Sequence, residues 1–262
     1  MRIRSSNFSV LVPLGLLLLS LSASAQQTSM DDLKNQVETL DQNMKAMQKD
    51  LEEIKALLQN RVRVTPPQSV VLDLGKRPSK GESAASITLV EFLDYQCPYC
   101  GRFSRETMPQ IEKDYIETGK VKYVVVNLPL DAMHKSAFKA AEAVACAGEQ
   151  GKFWEMHERL FNNQDTIDQW KSHADAVGLD VGKFQECLDS GRQAAQVRDD
   201  IANAHGAGVT GTPSFFLAYT DPNSTTIKTV TKLVGSQPYA AFKTAIDKQL
   251  VDTSVAMAEK SK

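Results

Sequence analysis

The sequence predicts an α/β fold with a reactive cysteine pair at a strand–helix junction, preceded by a helix that carries a coiled-coil repeat. Three observations lead there. The apolar run Ile87-Thr88-Leu89-Val90-Glu91-Phe92-Leu93 is followed at once by Cys97-Pro98-Tyr99-Cys100 and a helical pattern. The later elements read as a strand, a helical block, a strand hairpin and a closing helix. Nine apolar residues between positions 30 and 58 recur at alternating spacings of three and four.

In chain order, residues 1–25 read as an export signal. Arg2 and Arg4 form a basic start, Phe8 to Leu21 an apolar stretch, and Ala23-Ser24-Ala25 a small-residue cleavage site before Gln26. The stretch is short for a membrane span and contains Pro13. An exported protein, in a bacterial periplasm, is the expectation, and such a compartment suits disulfide chemistry.

Residues 26–62 form the predicted coiled-coil helix. Met30, Val37, Met44, Leu51 and Leu58 occupy one heptad position, and Leu33, Leu40, Met47 and Ile54 the other. The apolar stripe is narrower than that of a helix packed on its own domain, so it predicts self-association through residues 30–58. The core residues are mixed and Asp50 to Lys55 is the one clear flanking charge pair, which leaves dimer and trimer both open.

Residues 63–84 read as a linker. Pro66-Pro67 stops the helix, Val70 to Leu74 is a candidate edge strand, and the polar Lys76 to Ser83 is expected to be a loop.

The main domain is expected over residues 85–251. Ile87 to Tyr95 is a strand, Pro98 to Thr118 a helix ending near Gly119, and Val121 to Asn127 a second strand. That order favours a parallel pair with a right-handed crossover. A helical insertion over about 131–206 contains Ser136 to Ala147, Phe153 to Phe161, Ile167 to Val177, Val181 to Leu188 and Gln193 to Ala204. Ser214 to Leu217 and Ile227 to Leu233 make a hairpin across Asp221-Pro222-Asn223-Ser224, and Tyr239 to Leu250 closes with a helix. The tail over 252–262 is polar and reads as flexible.

The chemistry sits in the cysteine pair. A helix N-terminus aims free N–H groups and partial positive charge at the first sulfur, which stabilises its thiolate. Cys97 is therefore the expected attacking sulfur, and Cys100, one turn on, the resolving one. A zinc site would need two more ligands at close spacing, and neither Cys146 and Cys187 nor the four histidines supply such a pair. A disulfide across one helical turn would brace little, which favours reactivity. Two such thiols also suit soft Cu(I), so copper handling is an alternative, although no Met-rich or His-rich tract flanks the motif. Glu91, an acid on an otherwise apolar strand, is a candidate proton partner for Cys100; burial would raise its pKa. Cys146 and Cys187 are either a second, structural disulfide or two unpaired core cysteines. The net charge of −2 and the lack of a basic stripe argue against nucleic-acid binding, and no glycine motif for phosphate stands before a helix.

Three segments carry a resemblance. They are Glu91 to Cys100, Ala145 to Glu155 (Ala-Cys-Ala-Gly-Glu-Gln-Gly-Lys-Phe-Trp-Glu), and Val209 to Phe215 (Val-Thr-Gly-Thr-Pro-Ser-Phe). Over roughly residues 70–250 the chain resembles the DsbA-like family of exported thiol–disulfide oxidoreductases. Its N-terminal helix resembles that of oligomeric, ScsC-like members. The resemblance implies a thioredoxin fold with a helical insertion. It also implies a cis peptide before Pro213, Thr212 presenting its backbone to an extended client, and an acid at Glu91. Pro98 and Tyr99 would tune the reduced form. No cofactor beyond the Cys97–Cys100 disulfide is implied. Cysteine-containing secreted clients and a membrane redox partner are expected. Thr212 is found in isomerase-like relatives, so the expectation is an oligomeric isomerase or reductase, with a disulfide-donating oxidase as the alternative.

Overall fold

The computed structural model describes residue 30, residues 32–53 and residues 69–260. The signal segment, Ile54 and Leu58 lie outside the described residues. The described stretches belong to two units that divide between Thr65 and Pro66.

The first unit shows one helix, α1, over residues 32–53. No glycine or proline interrupts it. Met30, Leu33, Val37, Leu40, Met44, Met47 and Leu51 are 54–66% exposed. Local support comes from pairs one turn apart, such as Lys45 with Asp41 at 2.6 Å, and such pairs contribute only a few tenths of a kcal/mol each.

The second unit is a six-stranded mixed sheet with helices on both faces. Its strands are β1 (Val71–Asp73), β2 (Ser79–Lys80), β3 (Ile87–Leu93), β4 (Val121–Asn127), β5 (Ser214–Tyr219) and β6 (Thr226–Val234). They lie in the order β1-β6-β5-β3-β4-β2. Only β3 and β4 run parallel, as the intervening helix requires; β3 pairs with β5 in the antiparallel sense. β3 is thus central, and all seven of its residues are buried.

Alternation along β3 decides which face each side chain serves. Leu89 and Leu93 join Tyr123, Val125, Phe215 and Leu217 on one face, where Phe103, Ile111, Phe242 and Ile246 pack. Val90 and Phe92 join Val124, Val126 and Phe216 on the other, under Ala204 and Val209. Phe103 bridges the first layer, with ring centroids 4.5 Å from Phe215 and 5.3 Å from Phe242.

The helix after Cys97 is not one rod to Thr118. α2 (Pro98–Glu106) ends at Thr107, and α3 (Met108–Ile111) restarts with Pro109 in its first turn, followed by a π-turn over Glu112–Ile116. A proline fits a helix start, where its missing N–H costs nothing. The insertion between β4 and β5 holds α4 (Ala137–Gly148), α5 (Phe153–Asn162), α6 (Trp170–Ala176), α7 (Val181–Ser190) and α8 (Ala194–Gly206). A disulfide joins Cys146 on α4 to Cys187 on α7, with Cα atoms 5.8 Å apart.

Two segments differ from expectation. β1 lies in the Val70 to Leu74 segment read as an edge strand and pairs with β6, but β2 lies in the Lys76 to Ser83 segment read as a loop and pairs with β4 at the other edge of the sheet. Between them Arg77, its side chain 4% exposed, reaches Asp199 and Asp200 of α8 at 2.8 Å each. That ion pair draws a polar segment into the fold. At the other end, α9 (Tyr239–Lys260) runs past Leu250 through the segment read as a tail. No helix breaker stands between Val251 and Lys260, and Ala256, Met257, Ala258 and Glu259 favour helix. Among the described residues no helix is long and apolar enough to cross a membrane.

Candidate active site

β3 delivers the chain to the site, and its residues set the depth of each group. After Leu93 the backbone turns: the Cys97 N–H donates to the Asp94 carbonyl at 3.1 Å, and Cys97 becomes the N-cap of α2. Pro98 starts the helix without an N–H of its own. The sulfur of Cys97 then receives the free N–H groups of Cys100 and Tyr99.

Both cysteines of the motif are thiols here, Cys97 4% exposed and Cys100 fully buried. The Cys100 thiol that hydrogen-bonds to it pulls the Cys97 pKa from 9.0 down to about 6, helped by the Thr212 side chain and the helix N–H groups and against the opposing effect of burial. Burial pushes Cys100 far the other way; its bond to Cys97 and the charge of Glu91 add to that. The two sulfurs thus differ sharply in acidity, Cys97 being the readier thiolate.

The Thr212–Pro213 peptide is cis. It brings the Thr212 carbonyl to 3.4 Å from Cys97 Sγ, which donates to it. β5 begins one residue later, at Ser214, so the main pairing of the sheet holds this turn against the cysteines. Tyr99 faces outward, 57% exposed, with the Arg102 guanidinium 5.4 Å from its ring centre.

Glu91 lies under the pair, 2% exposed. Burial raises its pKa to about 8; the bond from Tyr123 acts downward and the Cys97 charge upward. Tyr123 also lines a cavity of about 320 Å³ between α2–α3 and α5, along with Lys80, Glu112, Trp154 and His157. His157 is neutral: burial, then the Lys80 charge, lowers its pKa to about 3, and its Nδ1 meets the Tyr95 hydroxyl at 3.0 Å.

The family-model comparison matches residues 74–248 to a family described as thioredoxin. The chain belongs to that family. Its fold is that of the DsbA-like thioredoxin proteins. Wolbachia pipientis alpha-DsbA1 superposes with a TM-score of 0.63 at 25% identity, covering 71% of this chain and 96% of that one. BdbD from Bacillus subtilis gives 0.61 at 26%, covering 71% and 99%. The catalytic domain of Proteus mirabilis ScsC shares the fold, with a TM-score of 0.51 at 22% identity, covering 67% and 89%. In sequence, the chain is 36% identical over 150 residues to Na(+)/H(+) antiporter NhaA 3 of Salinispora tropica, over 56% of this chain but only 22% of that protein. Disulfide bond formation protein D of Bacillus subtilis is 29% identical over 149 residues, 54% of this chain and 67% of that protein.

The thioredoxin framework brings Cys97, Cys100, Thr212, Pro213 and Glu91 into one place, and it adds residues that sequence reading did not single out. Gln164 donates from Nε2 to the carbonyls of Tyr95 and Cys97, both at 2.9 Å. Gly101 makes room for it: a Cβ there would stand 2.2 Å from Gln164 Oε1. Tyr123 reads in sequence as core, and only its hydroxyl bond to Glu91 gives it a place in the site. Asp94 offered one signal, an acid directly after an apolar strand; its partners Leu130 and His134 lie 36 and 40 residues away. Cys146 and Cys187 serve the helical insertion instead.

Proposed function

We propose that this chain is an exported protein thiol–disulfide oxidoreductase working by dithiol–disulfide exchange at Cys97 and Cys100. One observation carries the reading: an acidic, helix-capping Cys97 sulfur 3.4 Å from the Thr212 carbonyl beside cis-Pro213. An extended client segment pairs with the Thr212 backbone while its disulfide meets Cys97.

The Cys97 thiolate attacks one client sulfur. The client S–S bond breaks, a mixed disulfide forms, and the other client sulfur leaves as a thiolate and takes up a proton. Cys100 gives its proton to Glu91 and attacks Cys97 Sγ, which releases the second client thiolate. The client gains two electrons, and the protein ends with a Cys97–Cys100 disulfide. In isomerisation a second client thiolate attacks the mixed disulfide instead, and no net electrons move. Burial, with the Cys97 charge adding to it, holds the Glu91 pKa up to about 8, so the carboxyl is largely protonated while Cys97 is a thiolate. Once Cys97 is bonded to the client that charge is gone, and the carboxyl becomes a readier ionised base.

Isomerase or reductase is the preferred direction, with the dithiol kept reduced by a membrane redox partner. Helices in proteins draw most of their stability from packing an apolar face rather than from intrinsic propensity. The exposed heptad stripe of α1 gains stability by joining other copies, and several active sites then share one client. The likeness to Disulfide bond formation protein D favours the second reading, a disulfide-donating oxidase.

The test is refolding of scrambled ribonuclease by reduced protein, with the chain from residue 26 and a version lacking 26–62. Activity lost on truncation supports an oligomeric isomerase. Inactivity of both, with rapid oxidation of reduced ribonuclease by the oxidised protein, supports the oxidase. No exchange of either kind overturns the function.

A further inference from the structure

The Asp94 backbone meets both cysteines, and its carboxylate meets one distant histidine. Its carbonyl accepts the Cys97 N–H at 3.1 Å, and its backbone also hydrogen-bonds the Cys100 sulfur. Its carboxylate, with a side chain 0% exposed, accepts the Gln96 N–H at 2.7 Å, the Leu130 N–H at 2.8 Å and His134 Nδ1 at 2.7 Å. Since two N–H groups already donate to this carboxylate, the imidazole Nδ1 acts as the third donor.

The histidine is fixed in turn. Residues 130–134 close a single turn in which the N–H groups of Met133 and His134 donate to the Leu130 carbonyl at 2.8 and 2.9 Å. The Ser136 N–H donates to Gln96 Oε1 at 2.5 Å, which clasps the loop to the cysteine turn a second time. A surface loop alone needs no such attachment to a buried acid.

We propose that His134 is a positioning residue of the dithiol, acting through Asp94 to set the redox equilibrium of Cys97 and Cys100. The proposal rests on the exchange function above. The carboxylate belongs to the turn whose backbone meets both cysteines; a negative charge buried in that turn opposes a thiolate there, and each donor on the carboxylate disperses that charge. Loss of His134 leaves the Asp94 carboxylate with the two backbone donors, Gln96 and Leu130. The Cys97 thiolate, and with it the dithiol form, is then less stabilised.

The experiment equilibrates the full chain with reduced and oxidised glutathione and counts the dithiol fraction by alkylation. Wild type is compared with His134→Ala, His134→Asn and Asp94→Asn, each checked by thermal melting. His134→Ala is expected to shift the equilibrium toward the disulfide by roughly threefold to tenfold. His134→Asn, which keeps an N–H donor, recovers much of that. Asp94→Asn, which removes the charge, shifts it the opposite way. The proposal is overturned if His134→Ala stays within about twofold of wild type, or if both alanine and asparagine at 134 shift it equally. If Asp94→Asn does not fold, the His134 pair alone decides. Failure of the wild type to exchange with glutathione at all would sink the exchange function, a separate result.

Discussion

The Tyr123 hydroxyl donates to Glu91 Oε2, while Oε1 of the same buried carboxyl group meets no hydrogen-bonding partner among the described residues. The acid under the cysteines therefore has one protein bond and one free oxygen, on a central strand where burial dominates its pKa. An acid so placed costs stability when ionised.

Glu91→Gln should therefore stabilise the protein at alkaline pH. The folded pKa of about 8 lies above the ordinary carboxyl value of 4.5, so between those values the folded state holds more protons than the unfolded one. Stability then falls as pH rises through that window. The glutamine variant should lose this slope in urea titrations from pH 4.5 to 8.5. Tyr123→Phe removes the bond that lowers the Glu91 pKa, so that pKa should rise further and stability fall by about 1 kcal/mol. An unchanged slope in Glu91→Gln would show the carboxyl to be ionised throughout.

Cys97 should titrate near pH 6, read as thiolate absorbance in the reduced protein. Its folded pKa is depressed from 9.0, so its stabilisation of the reduced fold is full above about pH 9, declines as pH falls from 9, and is lost below about 6. Cys100→Ala removes the largest cause and should raise the Cys97 pKa toward 9. Cys100→Ser keeps a donor and should raise it less. Equal shifts in both would exclude the thiol hydrogen bond as the cause.

Arg77→Met should be among the more damaging changes outside the site. It leaves Asp200, 3% exposed in its side chain, without its cation, a loss of about 3–5 kcal/mol. Asp199→Asn touches the exposed end of the same pair, 62% exposed, and should cost about 0–1 kcal/mol. Denaturant midpoints of the two variants give the comparison.

Removing the Cys146–Cys187 disulfide should lower stability by about 3–4 kcal/mol in the chain-entropy model, given a sequence separation of 41. With Cys146→Ser and Cys187→Ser, glutathione exchange at Cys97 should persist at temperatures where the protein stays folded. Loss of exchange in the folded variant would give the disulfide a role in the chemistry.

Gly101→Ala should weaken activity while leaving the core intact. The added methyl pushes Gln164 off the carbonyls of Tyr95 and Cys97. Gln164→Ala should lose the same activity, and the double variant no more than either alone. Additive losses in client reduction would separate the two residues.

Local pattern alone carried much of this protein. The helix over residues 32–53, the strand–helix–strand start, and the cysteines at its junction all lie within single periods of the chain, where spacing dictates which side chains share a face. Segments that depend on partners far along the chain behaved otherwise. Residues 79–80 look like loop until β4 offers an edge, and the backbone groups of a two-residue strand have no ladder without it. Arg77 looks like linker until Asp200, 123 residues on, gives it an anion to be buried against.

The same division holds in the site. The sequence by itself pointed to Cys97 as the more acidic sulfur, because a helix N-terminus acts on the residue that caps it. It also determined that an acid lies on the strand before Cys97. Only the tertiary structure decided what each of those groups touches. Tyr123 reaches Glu91 through side-by-side strands, Gln164 reaches the cysteine turn from the short turn after α5, and His134 meets Asp94 where a loop folds back. Whether Cys146 and Cys187 pair was open in the sequence for the same reason: bond formation depends on the approach of α4 to α7, which is a product of packing between helices and not of any spacing along the chain.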